Sequence, residues 1–404
     1  MAARVILPRE AWRRNQFVMV VTVFVVFTGF AFVLPFLPLY VRELGVPDEE
    51  RAALWAGVLI GVAPLLAGLL APVWGRLADR YGQKGIAVKA LVAYVILLVL
   101  SAGVTDVFEL LALRIGIGLF GGIGPLGLAM ATSLAPREET GRAVGMIQAA
   151  QILSAAVGPF AGGFLADLIG IRRTFLVTAV LCAFALVLVL RYYQDAPPGT
   201  ALPSDAGGAE RAGLLRHPHV LSLLVILFLV NFIGRSFTPI LPQHLAGLGV
   251  GRARLASATG ALISAYSIAA ALSAALLGRA TRTRSPQGLL AATLVGGAIC
   301  VLPMALVSSF PPLLALAVLL GLTAGGSLTL CYTIGGLLVP APVRTTAFGF
   351  FSGAALFGGA ISPTFAGALA HWELRGIYYL DAALYALLAV ALLAGPRKAL
   401  ESSP

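Results

Sequence analysis

Stretches of about 20 mostly apolar residues, the length needed to cross a bilayer as a helix, recur along the whole chain. Polar and charged positions are confined to the short segments between them. Twelve such runs are predicted as helices. The first six cover about 17–41, 53–74, 86–104, 109–134, 142–166 and 173–193, and the second six about 219–244, 255–278, 287–308, 311–338, 345–370 and 376–395. The run from Phe17 follows Arg4, Arg9, Arg13 and Arg14 as a secretory signal would. It is long enough to span, and no small-residue cleavage site stands after it, so it reads as a retained first helix. Between the two sets, Gln194 to Pro218 contains "DAPPGTALPSDAGGAERAG", a Pro-, Gly- and charge-rich stretch that reads as a linker. The predicted organisation is a bundle over 1–193, a linker over 194–218 and a second bundle over 219–404.

The halves repeat one another. "PFLPLYVRELGV" from Pro35 and "PILPQHLAGLGV" from Pro239 share six of twelve positions at an offset of 204. At nearly the same offset "GRLADR" at Gly75 has a worn counterpart in "GRATRT" at Gly278. Gly158-Pro159 answers Ser362-Pro363, and "IGLFGG" at Ile117 answers "LGLTAGG" at Leu320. Six spans per half place both halves in the membrane in the same orientation, a parallel repeat about an axis along the membrane normal. Such repeats place substrate sites near the midplane, at the interface of the halves.

Composition agrees with a polytopic membrane protein. The chain is 59% hydrophobic and 11% charged, against about 25% charged in a soluble domain. Its net charge of +11 does not point to nucleic acid, because the basic residues cluster between apolar runs. With a cytoplasmic N-terminus, 19 of the 28 Lys and Arg fall on that side and seven opposite. The positive-inside rule therefore predicts both termini in the cytoplasm. Cys182, Cys300 and Cys331 lie inside apolar runs without metal spacing. The histidines at 217, 219, 244 and 371 stand near predicted span ends, as do the tryptophans at 12, 55, 74 and 372, which read as interfacial anchors. No enzyme constellation and no metal or cofactor site emerges. Glycine-dense "GIGLFGGIG" lies in mid-span with no strand before it, unlike a nucleotide-binding loop.

The most specific local pattern is "GRLADRYGQK", Gly75 to Lys84, after the second span. It resembles the signature cytoplasmic loop of the major facilitator superfamily, matching at Gly75, Asp79, Arg80, Gly82 and Lys84, with Gln83 where a basic residue is common. Glycines permit a tight turn there, and Asp79 is placed to act at a helix N-terminus in one gating state. "GPFAGG" in the fifth span resembles the Gly-Pro-x-x-Gly-Gly motif of that superfamily's drug-export antiporters through Gly158, Pro159, Gly162 and Gly163. The first span resembles the same branch. The resemblance covers nearly the whole chain and implies the major facilitator fold: two six-helix bundles, all-α. It further implies a multi-pass transporter of the cell membrane that exports hydrophobic or amphipathic compounds by alternating access, with protons as the coupling ion; a pair of bundles with a central interface needs no partner, so a monomer is expected. The alternatives are an exporter of one endogenous product, such as a siderophore or sugar, and an importer of a small metabolite.

Charges inside spans are costly and suggest function. Arg114 lies in the fourth span, Arg235 in the seventh and Asp381 near the start of the twelfth. Arg114 resembles a superfamily position linked to proton coupling. Arg235 and Asp381 lie at similar depth and are expected to balance each other. The first span holds no embedded carboxylate, a departure from many proton-driven exporters. Asp106 or Glu109 could serve as the acid by reaching inward beside Arg114. Phe32, Gln148, Gln151, Asn231, Phe232, Tyr266 and Tyr332 are candidates for the cavity, where aromatic rings give broad apolar contact and amides a few orienting hydrogen bonds.

Overall fold

The structure is a computed structural model. It describes residues 9–121, 123, 126–127, 130, 140–194, 218–339 and 344–394. The described residues form fifteen α-helices in chain order. The first seven are α1 Arg9–Ala31, α2 Leu37–Glu43, α3 Glu49–Tyr81, α4 Gln83–Gly103, α5 Val107–Phe120, α6 Thr140–Ile169 and α7 Ile171–Tyr192. There follow α8 Pro218–Ser236, α9 Leu241–Gly247, α10 Leu255–Ala280, α11 Pro286–Met304, α12 Phe310–Ala324, α13 Ser327–Leu338, α14 Arg344–Ala370 and α15 Gly376–Ala394.

Among them, ten segments are long and apolar enough to cross a membrane, and the α8–α9 pair, bent by 43°, makes an eleventh. The twelfth expected span, 109–134, is described as continuous helix only along the 14 residues of α5, and most of its second half lies outside the described residues. So do Glu138, Glu139 and the linker from 195 to 217.

The sequence repeat has a physical meaning. In each copy a long helix stops at a proline-bearing turn, and a short helix, α2 or α9, follows. Proline has no N–H to continue the ladder. Each short helix ends on the Gly of Leu-Gly-Val, Gly45 at φ 92° and Gly249 at φ 83°. That region is open mainly to glycine. The next N–H turns back on the helix, from Val46 to the Val41 carbonyl and from Val250 to that of Leu245, closing a Schellman cap.

The described chain divides into two compact units. One comprises 1–47, 62–203 and 252–264, the other 48–61, 204–251 and 265–404. The units follow the sequence halves apart from two exchanged pieces, the starts of α3 and α10.

In the first unit α1 packs on α6 and α7, and α4 on α5 and α7. Thr178 Oγ1 donates to the Gly29 carbonyl at 2.9 Å, and Tyr40 OH to that of Ser101 at 2.9 Å. In the second unit α8 lies along α14, and α11 along α12, α13 and α15. Gly358 sits on the Phe228 carbonyl, and the Tyr385 ring lies over Gly297, where a β-carbon would stand 2.9 Å away. Without a strong hydrophobic drive between helices in lipid, small residues that let backbones approach are what hold them together. The lipid-facing surface keeps its apolar side chains, among them Leu168, Val180, Ile299 and Val390.

Candidate functional site

Two helix crossings echo one another. In the first unit the start of α10 crosses α6: Gly260 rests on the Pro159 carbonyl and Gly163 on that of Ala256, at distances that leave no room for a β-carbon. In the second unit the start of α3 crosses α14 in the same way, Gly57 on the Pro363 carbonyl and Gly367 on that of Ala53. The polar contacts differ. Phe160 N donates to Ser264 Oγ at 3.0 Å, and Asp167 accepts from Ala256 N (3.3 Å) and Ser257 N (2.8 Å), capping α10. At the other crossing Thr364 Oγ1 donates to the Gly57 carbonyl at 3.2 Å, and His371 Nδ1 lies 3.2 Å from Glu50 Oε2, both half-exposed. The export-type motif thus supplies a backbone-to-backbone contact: Gly158 and Gly162 take α1 at Ala31 and Phe32, while Pro159 and Gly163 take α10.

Of the signature loop, Gly82 ends α3 at φ 92°. Lys84 Nζ donates to the carbonyls of Leu190 (3.0 Å) and Tyr193 (2.8 Å), closing the C-terminus of α7. The side chains of Gly75, Asp79 and Arg80 lie outside those described.

Arg114 is 2% exposed, the largest fully buried side chain among the described residues. The two acids expected near it point elsewhere. Asp106 caps α5, accepting from Phe108 N (2.7 Å) and Glu109 N (2.9 Å). Glu109 accepts from Thr105 N at 2.8 Å and is solvent-exposed. A capping acid is held at the helix start by the N–H groups it satisfies, about two turns from Arg114, so neither reaches inward.

The second unit contains a cavity of about 160 Å3 lined by Val230, Asn231, Gly234, Arg235, Tyr266, Ala324, Gly325, Leu328 and Tyr385. Of the residues expected to face substrate, Asn231 and Tyr266 line it. Arg235, expected in coupling, joins them. Phe232 is buried between Phe228 and Phe365, with ring centroids at 6.2 and 5.6 Å. Tyr332 stacks on Phe348 at 5.8 Å, Phe32 is buried against Gly162, and Gln148 is exposed. Gln151 is half-buried on α6.

The expected balance between Arg235 and Asp381 is not made. Asp381, fully buried, accepts instead from Ser236 Oγ, the neighbour of Arg235 on α8. Successive helical residues point about 100° apart, so Ser236 turns to α15 while Arg235 opens on the cavity. Above Asp381 on the same helix, Tyr378 OH lies 2.7 Å from His244 Nδ1, both residues buried. Sequence reasoning passed over Ser236, His244, Tyr378 and Tyr385. His244 read as a span-end residue, yet it stands inside the repeated segment that the bend at 237–240 folds into the unit.

Against this geometry the comparisons are decisive. The sequence profile of the Major Facilitator Superfamily matches residues 19–311 and 255–404. The chain belongs to this superfamily. It is 32% identical over 324 residues to the multidrug resistance protein MdtG of Yersinia enterocolitica, covering 80% of this chain and 78% of that protein. A PmrA-type multidrug efflux pump homologue of Lactococcus lactis is 32% identical over 78% of both chains. Among solved structures, a bacterial homologue of the human lysosomal transporter Spinster superposes with a TM-score of 0.79 over 98% of the chain at 15% identity. A D-xylose–proton symporter superposes with a TM-score of 0.73 over 93% at 17% identity. At these identities the structural likeness speaks for the fold alone, the all-α fold of the major facilitator type.

Proposed function

We propose that the protein exports hydrophobic or amphipathic drug-like compounds across the inner membrane by alternating access, in exchange for protons. In this reading it works as a monomer with both termini in the cytoplasm. The observation that carries the proposal is the match, over about four-fifths of either chain, to proteins named for multidrug resistance and efflux in organisms as different as Yersinia and Lactococcus. The second-unit cavity agrees with it. Two tyrosines and aliphatic groups offer adaptable apolar contact, and one amide and one guanidinium orient whatever enters. A pocket built for a sugar would offer many more hydrogen-bonding groups.

The relatives do not name the coupling ion. Proton exchange is supported by the buried acid on α15 and by the family's use of ion gradients to drive transport. The test is reconstitution in proteoliposomes with ethidium as the transported dye. Movement of ethidium against an imposed proton gradient is expected, with displacement by chemically unrelated amphipaths. Displacement by one compound class alone would favour an exporter of a single endogenous product. Accumulation along the direction of proton flow would favour an importer.

A further inference from the structure

The cavity accounts for Arg235, Tyr266 and Tyr385 but not for the polar groups stacked beside it. Asp381 has no exposed surface, and Ser236 satisfies only its Oδ2; Oδ1 has no hydrogen-bond partner. One turn earlier on α15, Tyr378 holds His244 Nδ1 at 2.7 Å. His244 is 2% exposed, and its Nε2 is likewise buried without a partner. A buried polar atom without a partner calls for an explanation in a native fold. These two sit along one line of groups, where α8 ends and α15 begins. Along it stand His244, Tyr378, Asp381 with Ser236, and then the cavity with Arg235.

We infer that Asp381 is the proton-carrying residue of the exchange, loaded through the His244–Tyr378 pair and read by the cavity through Arg235; this rests on the proton-exchange reading above. A proton arrives from the aqueous face on His244 Nε2. The Nδ1 proton passes to the Tyr378 oxygen, and the Tyr378 hydroxyl proton passes on to Asp381 Oδ1. No bond to Ser236 is lost, and the imidazole resets by tautomer exchange. When Asp381 gives its proton up, a bare carboxylate stands in a low-dielectric site where its charge acts strongly on nearby cations. Arg235, one residue from Ser236, lines the cavity and lies with Asp381 near Tyr266. With Asp381 charged, the positive charge of Arg235 is offset and the cavity admits a cationic substrate; with Asp381 protonated, the guanidinium repels it, so proton and substrate exclude one another as exchange requires.

The surroundings leave few rivals for this role. From α8 Ser236 faces the acid, and from α10 Tyr266 lies near both it and Arg235. From α11 Cys300 lies by Tyr385, α15 itself adds Tyr378 and Tyr385, and Arg375, just before α15, lies by Tyr378 and His244. Between Thr345 and Ala370, α14 has no titratable residue. Among these groups Asp381 is the one carboxyl.

The experiment compares wild type with Asp381→Asn, which keeps the size of the side chain and an acceptor for Ser236. Two ethidium assays are run in proteoliposomes: exchange at equilibrium and transport driven by a pH gradient. Exchange that no longer varies with pH, with the gradient response abolished, is expected, and Asp381→Glu should restore part of the response. Gradient-driven transport that persists in Asp381→Asn overturns the inference while leaving the exporter reading intact. A wild type that ignores the gradient overturns both. Should Asp381→Asn fail to reconstitute, infrared pH titration of wild type and Ser236→Ala decides. A protonated-carboxyl band whose frequency moves when the Ser236 hydrogen bond is removed places the proton on Asp381. A band indifferent to Ser236→Ala refutes it.

Discussion

The α-carbon of Gly260 rests on the carbonyl oxygen of Pro159, with no space for a β-carbon between them. Gly57 stands in the same relation to Pro363 at the second crossing. Such contacts gain from close dispersion and from weak Cα–H···O bonds, and they exist only while the residue is glycine. Overpacking a tight contact typically costs about 1–3 kcal/mol. Gly260→Ala and Gly57→Ala should each lower the thermal midpoint of the purified protein and, by wedging the crossing apart, slow ethidium transport. Gly145→Ala is the control, because a β-carbon there meets nothing within 4 Å; it should leave both unchanged.

Asp167 satisfies two N–H groups at the start of α10, whereas the equivalent position of the second half holds His371, paired with Glu50 at the surface. Losing a helix cap costs about 1 kcal/mol, and an exposed ion pair contributes at most that. Asp167→Ala should therefore destabilise the protein measurably in thermal scans, Asp167→Asn much less, and His371→Ala hardly at all. Equal effects of Asp167→Ala and His371→Ala would contradict the capping role.

Arg235 opens on the cavity and makes no ion pair with Asp381. A hydrogen bond to a charged group is worth about 1.5–3 kcal/mol. Arg235→Gln should weaken competition by carboxylate-bearing aromatic amphipaths by about tenfold or more, on that scale, with little loss for uncharged ones. A uniform loss across the panel would show the residue to be structural.

Asp106 and Glu109 are tied to the N-terminus of α5. Glu109→Gln should leave the pH-gradient response of transport unchanged. Asp106→Asn, which preserves an accepting oxygen, should do the same. A lost gradient response in either variant, with protein yield intact, would return the acid of coupling to the first unit.

Much of the fold was legible because bilayer length and hydropathy are linear properties of the chain. The repeat at Pro35 and Pro239 was legible for the same reason, since each copy needs its proline break and its left-handed glycine at a fixed distance. The site was less so. Depth along a helix can be counted, and it placed Arg235 and Asp381 together, but which way a side chain turns depends on helix rotation against its neighbours. That rotation gave Asp381 to Ser236 and Arg235 to the cavity. Likewise, the acids at the start of α5 read as available charges because nothing local distinguishes a cap from a reactive group except the N–H groups it meets. His244 was obscured by its place near a span end, which the bend after Ser236 turns into buried space.

The two glycine–proline crossings also say how this molecule can move. A joint made of α-carbons and carbonyl oxygens, pinned at each crossing by one hydroxyl from Ser264 or Thr364, has no interlocking teeth. It bears load across the seam but offers little resistance along it, more like a journal bearing than a bolt. Sliding or opening there asks no side chain to change rotamer, so the activation barrier at these seams should come chiefly from the few polar pins and from Asp167, not from repacking.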